Sequence, residues 1–479
     1  MSSISEKLSI REKIGYSLGD LAANLVFQTL ITYLAYFYTD IYGLEANTAM
    51  AIIFWVGLIA ALGFNPIVGA IADRTHSKWG KFRPWILWTA VPLGVVSVLA
   101  FSTPDFDYQG KVTYAVITYT LLLLLYAASN LPYSALSGVI TGDMKERNSI
   151  SSYRFVAVMF AQFFVQVFML PIIIYAGEGD KAVGMELVMT WLAVIGTVML
   201  LITFVTTKER IVPTAEQKST FVEDILDLIE NRPWLIMLVL TTLTFISLAM
   251  KGGAYVYYFE NYVENTRLTN FISPILDFLS SVGVNFFGND PVSAGFGLFN
   301  AGGIIFMIIG IGLSKSLADV YGKRNVFGFF LLVSTLFIIL FYFFDKSSVE
   351  LMFGAQVLHG LFYGITIPLL WAMIADVADY SEWKNNRRAT AIIFSAMMVG
   401  LKLGLAIGGA LVAKILGSYG YLPGIENGQT ELAIHGIKML VSIYPSIPFL
   451  IGVVLLFFYE INKDIESQIE TDLKQRRTN

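Results

Sequence analysis

The chain has 479 residues, of which 56% are hydrophobic and only 14% charged, with a mean hydropathy of +0.66; these figures exclude an ordinary water-soluble enzyme and point to lipid as the main solvent. A formal net charge of −4 leaves no basic surface for nucleic acid, and the absence of cysteine excludes a disulfide framework and thiolate metal sites. The three histidines, His76, His359 and His435, are widely separated and no tight acid cluster accompanies them, so neither a metal site nor a cofactor is expected.

The opening MSSISEKLSIREK carries charge but no short apolar core followed by small residues, so the first apolar run is expected to serve as the insertion signal itself. About 20 apolar residues suffice for a helix to cross the bilayer's hydrocarbon. Runs of that kind follow near 15–42, 48–72, 84–101, 112–135, 153–175, 185–206, 234–259, 294–314, 325–344, 352–375, 388–416 and 438–459. The spacing predicts an all-α membrane protein with twelve transmembrane helices. Of the 32 Lys and Arg residues, 23 fall in the two termini and in alternate connectors, whereas the intervening connectors hold Lys111, Lys181, Arg267 and Lys346. Such alternation places both termini in the cytoplasm. Arg154, Lys251, Lys402, Lys414 and Lys438 remain, within or at the edges of the apolar runs, where a charge is costly enough to mark a functional group.

The chain also repeats itself. GAIADRTHSKWGKFR (69–83) after the second run is echoed by KSLADVYGKRN (315–325) after the eighth, and GDMKERNSISSYR (142–154) by ADYSEWKNNRRATA (378–391). The echoes predict two six-helix pseudo-repeats, residues 1–207 and 234–479, joined by a cytoplasmic linker at 208–233. Two such repeats around a central cavity suit alternating access, with a site near the midplane. The outer connector at 263–293 is unusually long, and its SPILDFLSSV reads as a short surface helix, either a lid or an insertion.

The connector motifs resemble the signature of the major facilitator superfamily. That resemblance implies a latch of Asp73, Lys81 and Arg83 in the first half and Asp319, Lys323 and Arg324 in the second, holding helices on the cytoplasmic side. IREKIGYSLGD (10–20), YFYTDIYG (36–43), NLPYSAL (130–136), NRPW (231–234), GGAYVYYFENYV (252–263), ADVADYSEWK (375–384) and GLKLG (400–404) occur in order along nearly the whole chain. In this the sequence is similar to the glycoside-pentoside-hexuronide:cation symporter family. Membership implies a bacterial inner-membrane transporter, not an enzyme, that carries a sugar or glycoside with a cation.

The resemblance places Asp20 and Arg154 against the sugar. A carboxylate accepts from adjacent hydroxyls while a guanidinium donates to them. It also puts Asn130 where an aspartate is usual in the family. Tyr126, Asn24, Gln28 and Trp371 are further candidates for the pocket, and Tyr255, Tyr257 and Tyr258 could offer ring faces to the sugar. Glu260, near the outer end of its span, reads as a rim charge. The family's cation site departs from its pattern here: its acidic positions are Ala61 and Asn65, and two polar positions are Phe64 and Ala127. A small hard cation needs several oxygen ligands and usually a negative charge, so the expected coupling ion is H⁺ rather than Na⁺. Lys402 lies near the centre of the eleventh run, too deep to snorkel, and is expected to be the resident cation and titrating group with Asp20 as its counter-charge. Lys251 joins the same network. The alternative on this scaffold is an uncoupled sugar facilitator or an amphiphile transporter.

Overall fold

The computed structural model describes residues 7–141, 144–210, 231–287, 290–385, 390–425 and 428–478. Most of the expected linker, 211–230, and the side chain of Asp73 lie outside the described residues. Within them every regular element is a helix. Twelve helices are long and apolar enough to span a membrane: α1 Ile10–Ile41, α2 Ala46–Gly69, α3 Arg83–Ala100, α4 Tyr108–Ile140, α5 Ser149–Ala176, α6 Lys181–Thr206, α7 Arg232–Asn261, α8 Pro291–Tyr321, α9 Lys323–Tyr342, α10 Val349–Lys384, α11 Met397–Ser418 and α12 Glu431–Phe458. Two more helices, the connector helix Asn265–Ser281 and the C-terminal helix Lys463–Thr478, do not span.

The ends of these helices follow local chemistry. Asp107, Asp180, Asn231 and Thr430 each turn a side-chain oxygen onto a backbone N–H of the first turn that follows, satisfying donors the helix itself leaves open. The burial pattern inverts that of a soluble bundle. Large apolar side chains such as Trp55, Val194 and Phe457 face outward, while polar side chains, among them Asp20, Thr29, Thr32, Ser247 and Lys251, are buried among the helices. Lipid tails accept the first group, and the second is kept away from them among the helices.

The chain forms two compact units. The first comprises Met1–Glu216, Ile275–Gly297 and Pro423–Ile425, and the second Gln217–Pro274, Leu298–Leu422 and Glu426–Asn479. The first unit therefore takes in part of the long connector. Its Phe286 and Phe287 pack on Phe168, with ring centroids 5.7 Å away in each case, and the Gly424 N–H donates to Asp40 Oδ1 at 3.3 Å. In the second unit α11 lies directly on α7 through Gly400, Gly404 and Gly408. A Cβ at Gly400 would meet Leu238 at 2.8 Å; at Gly404 and Gly408 it would stand 2.5 Å from the carbonyl oxygens of Thr242 and Ile246. Small residues every fourth position let two membrane helices approach this closely. That strip flanks Lys402 and fixes its level on α11.

Candidate functional site

In the first unit α1 carries Tyr16, Asp20, Asn24 and Gln28 at four-residue spacing, which is one helical stripe. Asp20 is 6% exposed. Its Oδ2 accepts from Arg154 Nε of α5 at 2.8 Å, and its Oδ1 accepts from Asn24 Nδ2 at 3.2 Å. The Arg154 guanidinium lies 5.6 Å from the Tyr16 ring and 5.4 Å from the Tyr133 ring. Its terminal nitrogens make no hydrogen bond among the described residues, and the side chain keeps 26% exposure against 9% for Asp20. On α4, Asn130 Nδ2 donates to the Tyr126 hydroxyl at 3.2 Å, and its Oδ1 accepts from Ser134 Oγ at 3.3 Å. Tyr126 stands within electrostatic reach of Asp20. Asp20, Arg154, Asn130 and Tyr126 thus share one region of the first unit, where the two charges cancel. Gln28 meets Gln166 at 3.5 Å.

Within the first unit Asp20 is paired with Arg154. Two residues 134 positions apart in sequence meet because α1 and α5 pack side by side, a pairing no local pattern encodes.

The second unit holds the other buried charges. Lys251 on α7 is 8% exposed, has its ammonium 5.6 Å from the Tyr255 ring, and has no carboxylate within ion-pair distance among the described residues. Nearby on α10, within reach of its charge, the buried His359 places Nδ1 3.0 Å from the Ser334 carbonyl. Sequence reasoning dismissed this histidine with the other two, since only the fold brings it to Lys251. Tyr255 is enclosed by its neighbours: its ring meets that of Phe299 edge-on at 4.9 Å and its hydroxyl donates to Gln356 Oε1 at 3.2 Å. It packs the core, as do the buried Tyr257 and Tyr258. Lys402 and Trp371 are half-buried on α11 and α10, and Glu260 is half-buried at the end of α7.

At the expected cation site, α2 makes a π-turn over Ala60–Phe64 that loosens carbonyl groups ahead of Pro66. Asn65 Nδ2 donates to the carbonyls of Ala60 and Ala61 at 3.1 and 3.4 Å. Val68, Ala127 and Ala128 form an apolar cluster beside it, joined by Phe64 and Trp85.

The two Gly-Lys motifs have a common cause. Gly80 (φ +109°) and Gly322 (φ +82°) turn the chain through a conformation that glycine adopts at little cost. Each turn is gripped by an acid from the segment beyond the last helix of its own half. In the first unit Glu209 accepts from the backbone N–H groups of Lys81, Phe82 and Arg83 at 2.8, 2.8 and 2.9 Å, and Arg83 Nη2 donates to the Phe204 carbonyl at 2.6 Å. In the second, Lys323 Nζ lies 2.7 Å from Asp376 and 2.8 Å from Glu466, and Arg324 donates to the Tyr459 carbonyl at 2.9 Å. Lys81, Arg83, Lys323 and Arg324 are all engaged near the turns they were assigned to. Asp319 differs from expectation. Its carboxylate is exposed, and only its backbone carbonyl takes part, accepting from Lys463 at 2.9 Å, because the C-terminal helix supplies the acid in its place. Sequence reasoning missed Glu209, Asp376 and Glu466, along with the pairs Glu12–Arg210 and Lys13–Glu146 at 2.6 and 2.9 Å.

A family model described as MFS/sugar transport protein matches residues 15–288 and 278–463. The inner membrane symporter YicJ of Escherichia coli is 36% identical over 94% of this chain and 92% of its own length. The putative glycoside/cation symporter YagG of the same organism is 32% identical over 98% and 96%, and the isoprimeverose transporter of Lactiplantibacillus pentosus 29% identical over 97% and 91%. Among solved structures, a point mutant of the nucleoside transporter NupG superposes with a TM-score of 0.60 at 13% identity, covering 94% of this chain and 100% of that one. A bacterial homologue of the human drug peptide transporters PepT1 and PepT2 gives 0.64 at 14% identity, covering 96% and 99%. At such identities the superpositions establish the fold.

Proposed function

The chain belongs to the glycoside-pentoside-hexuronide:cation symporter family of the major facilitator superfamily, an integral inner-membrane transporter of sugars and not an enzyme, and from that premise we propose that it is a secondary active symporter of a neutral glycoside driven by protons.

The observation that carries this reading is the Asp20–Arg154 pair. Its members are held at 2.8 Å through Nε alone. Both terminal guanidinium nitrogens and the outer lone pairs of the carboxylate are then placed to bind hydroxyls that are themselves donor and acceptor. Asn130 and Tyr126 add an uncharged amide and a phenol to the same region. The cluster has no net charge, which suits a neutral sugar better than a uronide or sulfonate. The names of the relatives, a glycoside/cation symporter and an isoprimeverose transporter, lie in the same direction.

Proton coupling rests on what stands at the expected cation site. The Asn65 amide donates to its own helix, and Ala127 packs against Val68; neither replaces the hydration of a hard cation. Lys402 on α11 is then the titrating group, with Lys251 the other deep cation of the same unit. Lys81 and Arg83 hold a connector of the first unit and Lys323 and Arg324 one of the second; the distribution of Lys and Arg supports a cytoplasmic location for these connectors and for the C-terminus.

Calorimetric titration of the purified protein with isoprimeverose tests the sugar site. Asp20→Asn removes one charge-assisted hydrogen-bond set worth about 1.5–3 kcal/mol, so the Kd is expected to rise roughly 10- to 100-fold. An unchanged Kd in a folded Asp20→Asn protein contradicts the assignment.

A further inference from the structure

Tyr16 and Tyr133 are bound to each other in an unusual way. The Tyr16 hydroxyl donates to the backbone carbonyl of Tyr133 at 3.0 Å, and the Tyr133 hydroxyl donates to the backbone carbonyl of Tyr16 at 2.8 Å. Between these reciprocal bonds the two rings stack, with centroids 4.6 Å apart and planes 18° off parallel. Both residues are almost completely buried. The stack requires Gly19, because a Cβ there would stand 2.6 Å from Tyr133 Cε2. The arrangement ties α1 to α4 at a fixed separation one turn from Asp20.

Arg154, from a third helix, lies 5.6 and 5.4 Å from these same two rings. A guanidinium is attracted to the faces of aromatic rings, more so where water is scarce. Nε is directed at Asp20 while the rings limit the swing of the rest of the group. Without them, the guanidinium would be free to turn a terminal nitrogen onto the carboxylate and spend there a donor meant for cargo. A phenylalanine pair would stack equally well but would leave the helix separation unset, since each hydroxyl is the link to the opposite backbone. In the low dielectric of a membrane protein, those hydroxyls also need partners of their own.

We propose that Tyr16 and Tyr133 form a positioning brace that orients Arg154 toward the sugar, so that they set the affinity of the transporter without touching cargo. This gives the GYSLGD and NLPYSAL segments a physical role: each contributes one tyrosine to the brace and, at Asp20 or Asn130, one residue to the sugar region. The proposal rests on Arg154 binding the sugar.

The test is isoprimeverose counterflow in proteoliposomes containing the full chain, with KM and maximal rate measured separately. Tyr16→Phe and Tyr133→Phe keep the rings and remove one hydroxyl each. Loss of a neutral hydrogen bond should raise KM about three- to tenfold and leave the maximal rate within about twofold. Tyr133→Leu removes the ring as well and should raise KM further; the Phe variants carry the test if the Leu variant does not fold. The discriminating readout is the Arg154→Lys background. A brace that works through the guanidinium loses its effect there, so adding Tyr133→Phe to Arg154→Lys should change KM by less than about twofold. Two results overturn the brace alone: unchanged KM in both Phe variants while Arg154→Lys raises it, or an equal loss with and without Arg154. Unchanged KM in Arg154→Lys overturns the sugar-site reading together with the brace.

Discussion

The two units treat buried charge in opposite ways. In the first, Arg154 is matched by Asp20 at 2.8 Å, seconded by Asn24 and flanked by two tyrosine rings. In the second, Lys251 is buried with a ring face and a nearby histidine but with no carboxylate at ion-pair distance among the described residues. A charge buried in a low dielectric is costly unless a partner matches it. The first unit therefore holds its buried charge as a matched pair, which under the proposed function reads the hydroxyls of the cargo. Under the proposal of proton coupling, the second is where an exchangeable proton belongs. At the Gly-Lys turns the units differ in another way: Glu209 grips three backbone N–H groups, while Lys323 is held through its side chain by two acids.

Substitutions that exchange the treatment of charge should separate the units. The largest effect is expected for Arg154→Met, which strands a buried carboxylate. Removing one partner of such a pair costs about 3–5 kcal/mol, less in proportion to the exposure that Arg154 retains. Thermal unfolding in detergent should show a clear loss, and Asp20→Asn added to Arg154→Met should recover part of it. A smaller loss, about 2–3 kcal/mol, is expected for Glu209→Ala, which leaves three backbone donors at the start of α3 without their acceptor. Glu466→Ala should cost under about 1 kcal/mol, because that carboxylate is 34% exposed and Asp376 stays on Lys323. If Glu466→Ala proves the more damaging of the two, the contrast between backbone and side-chain grip is wrong. Smallest of all, Lys251→Met should leave stability unchanged or slightly raised, since an apolar side chain of similar length replaces a buried cation that has no acidic partner among the described residues. A destabilisation as large as that of Arg154→Met would mean that Lys251 is a paired structural charge, and the asymmetry between the units would fall.

Much of this architecture is visible in the sequence because the bilayer imposes it. Runs of apolar residues longer than 20 have few structures open to them, and the depth of Asp20, Arg154, Lys251 and Lys402 follows from counting along those runs. The two Gly-Lys connectors that suggest the repeat share a glycine at positive φ. What the sequence withheld is who meets whom. Arg154 answers Asp20 from 134 residues away, and Tyr16 and Tyr133 close on one another across 117. Glu209 reaches back to a turn more than 120 residues earlier. Helical periodicity assigns a residue to a face and a depth, and leaves open which other helix that face meets. For the same reason the neighbours of Tyr255, Phe299 and Gln356, could not be read from periodicity.

The most direct test of the central claim, that this chain moves a neutral glycoside with protons, is accumulation of radiolabelled isoprimeverose in proteoliposomes free of Na⁺ under an imposed inward proton gradient. The account expects accumulation above the outside concentration that collapses when a protonophore is added. Equilibration without accumulation would mark an uncoupled facilitator, and accumulation that appears only when Na⁺ is supplied would contradict the account outright.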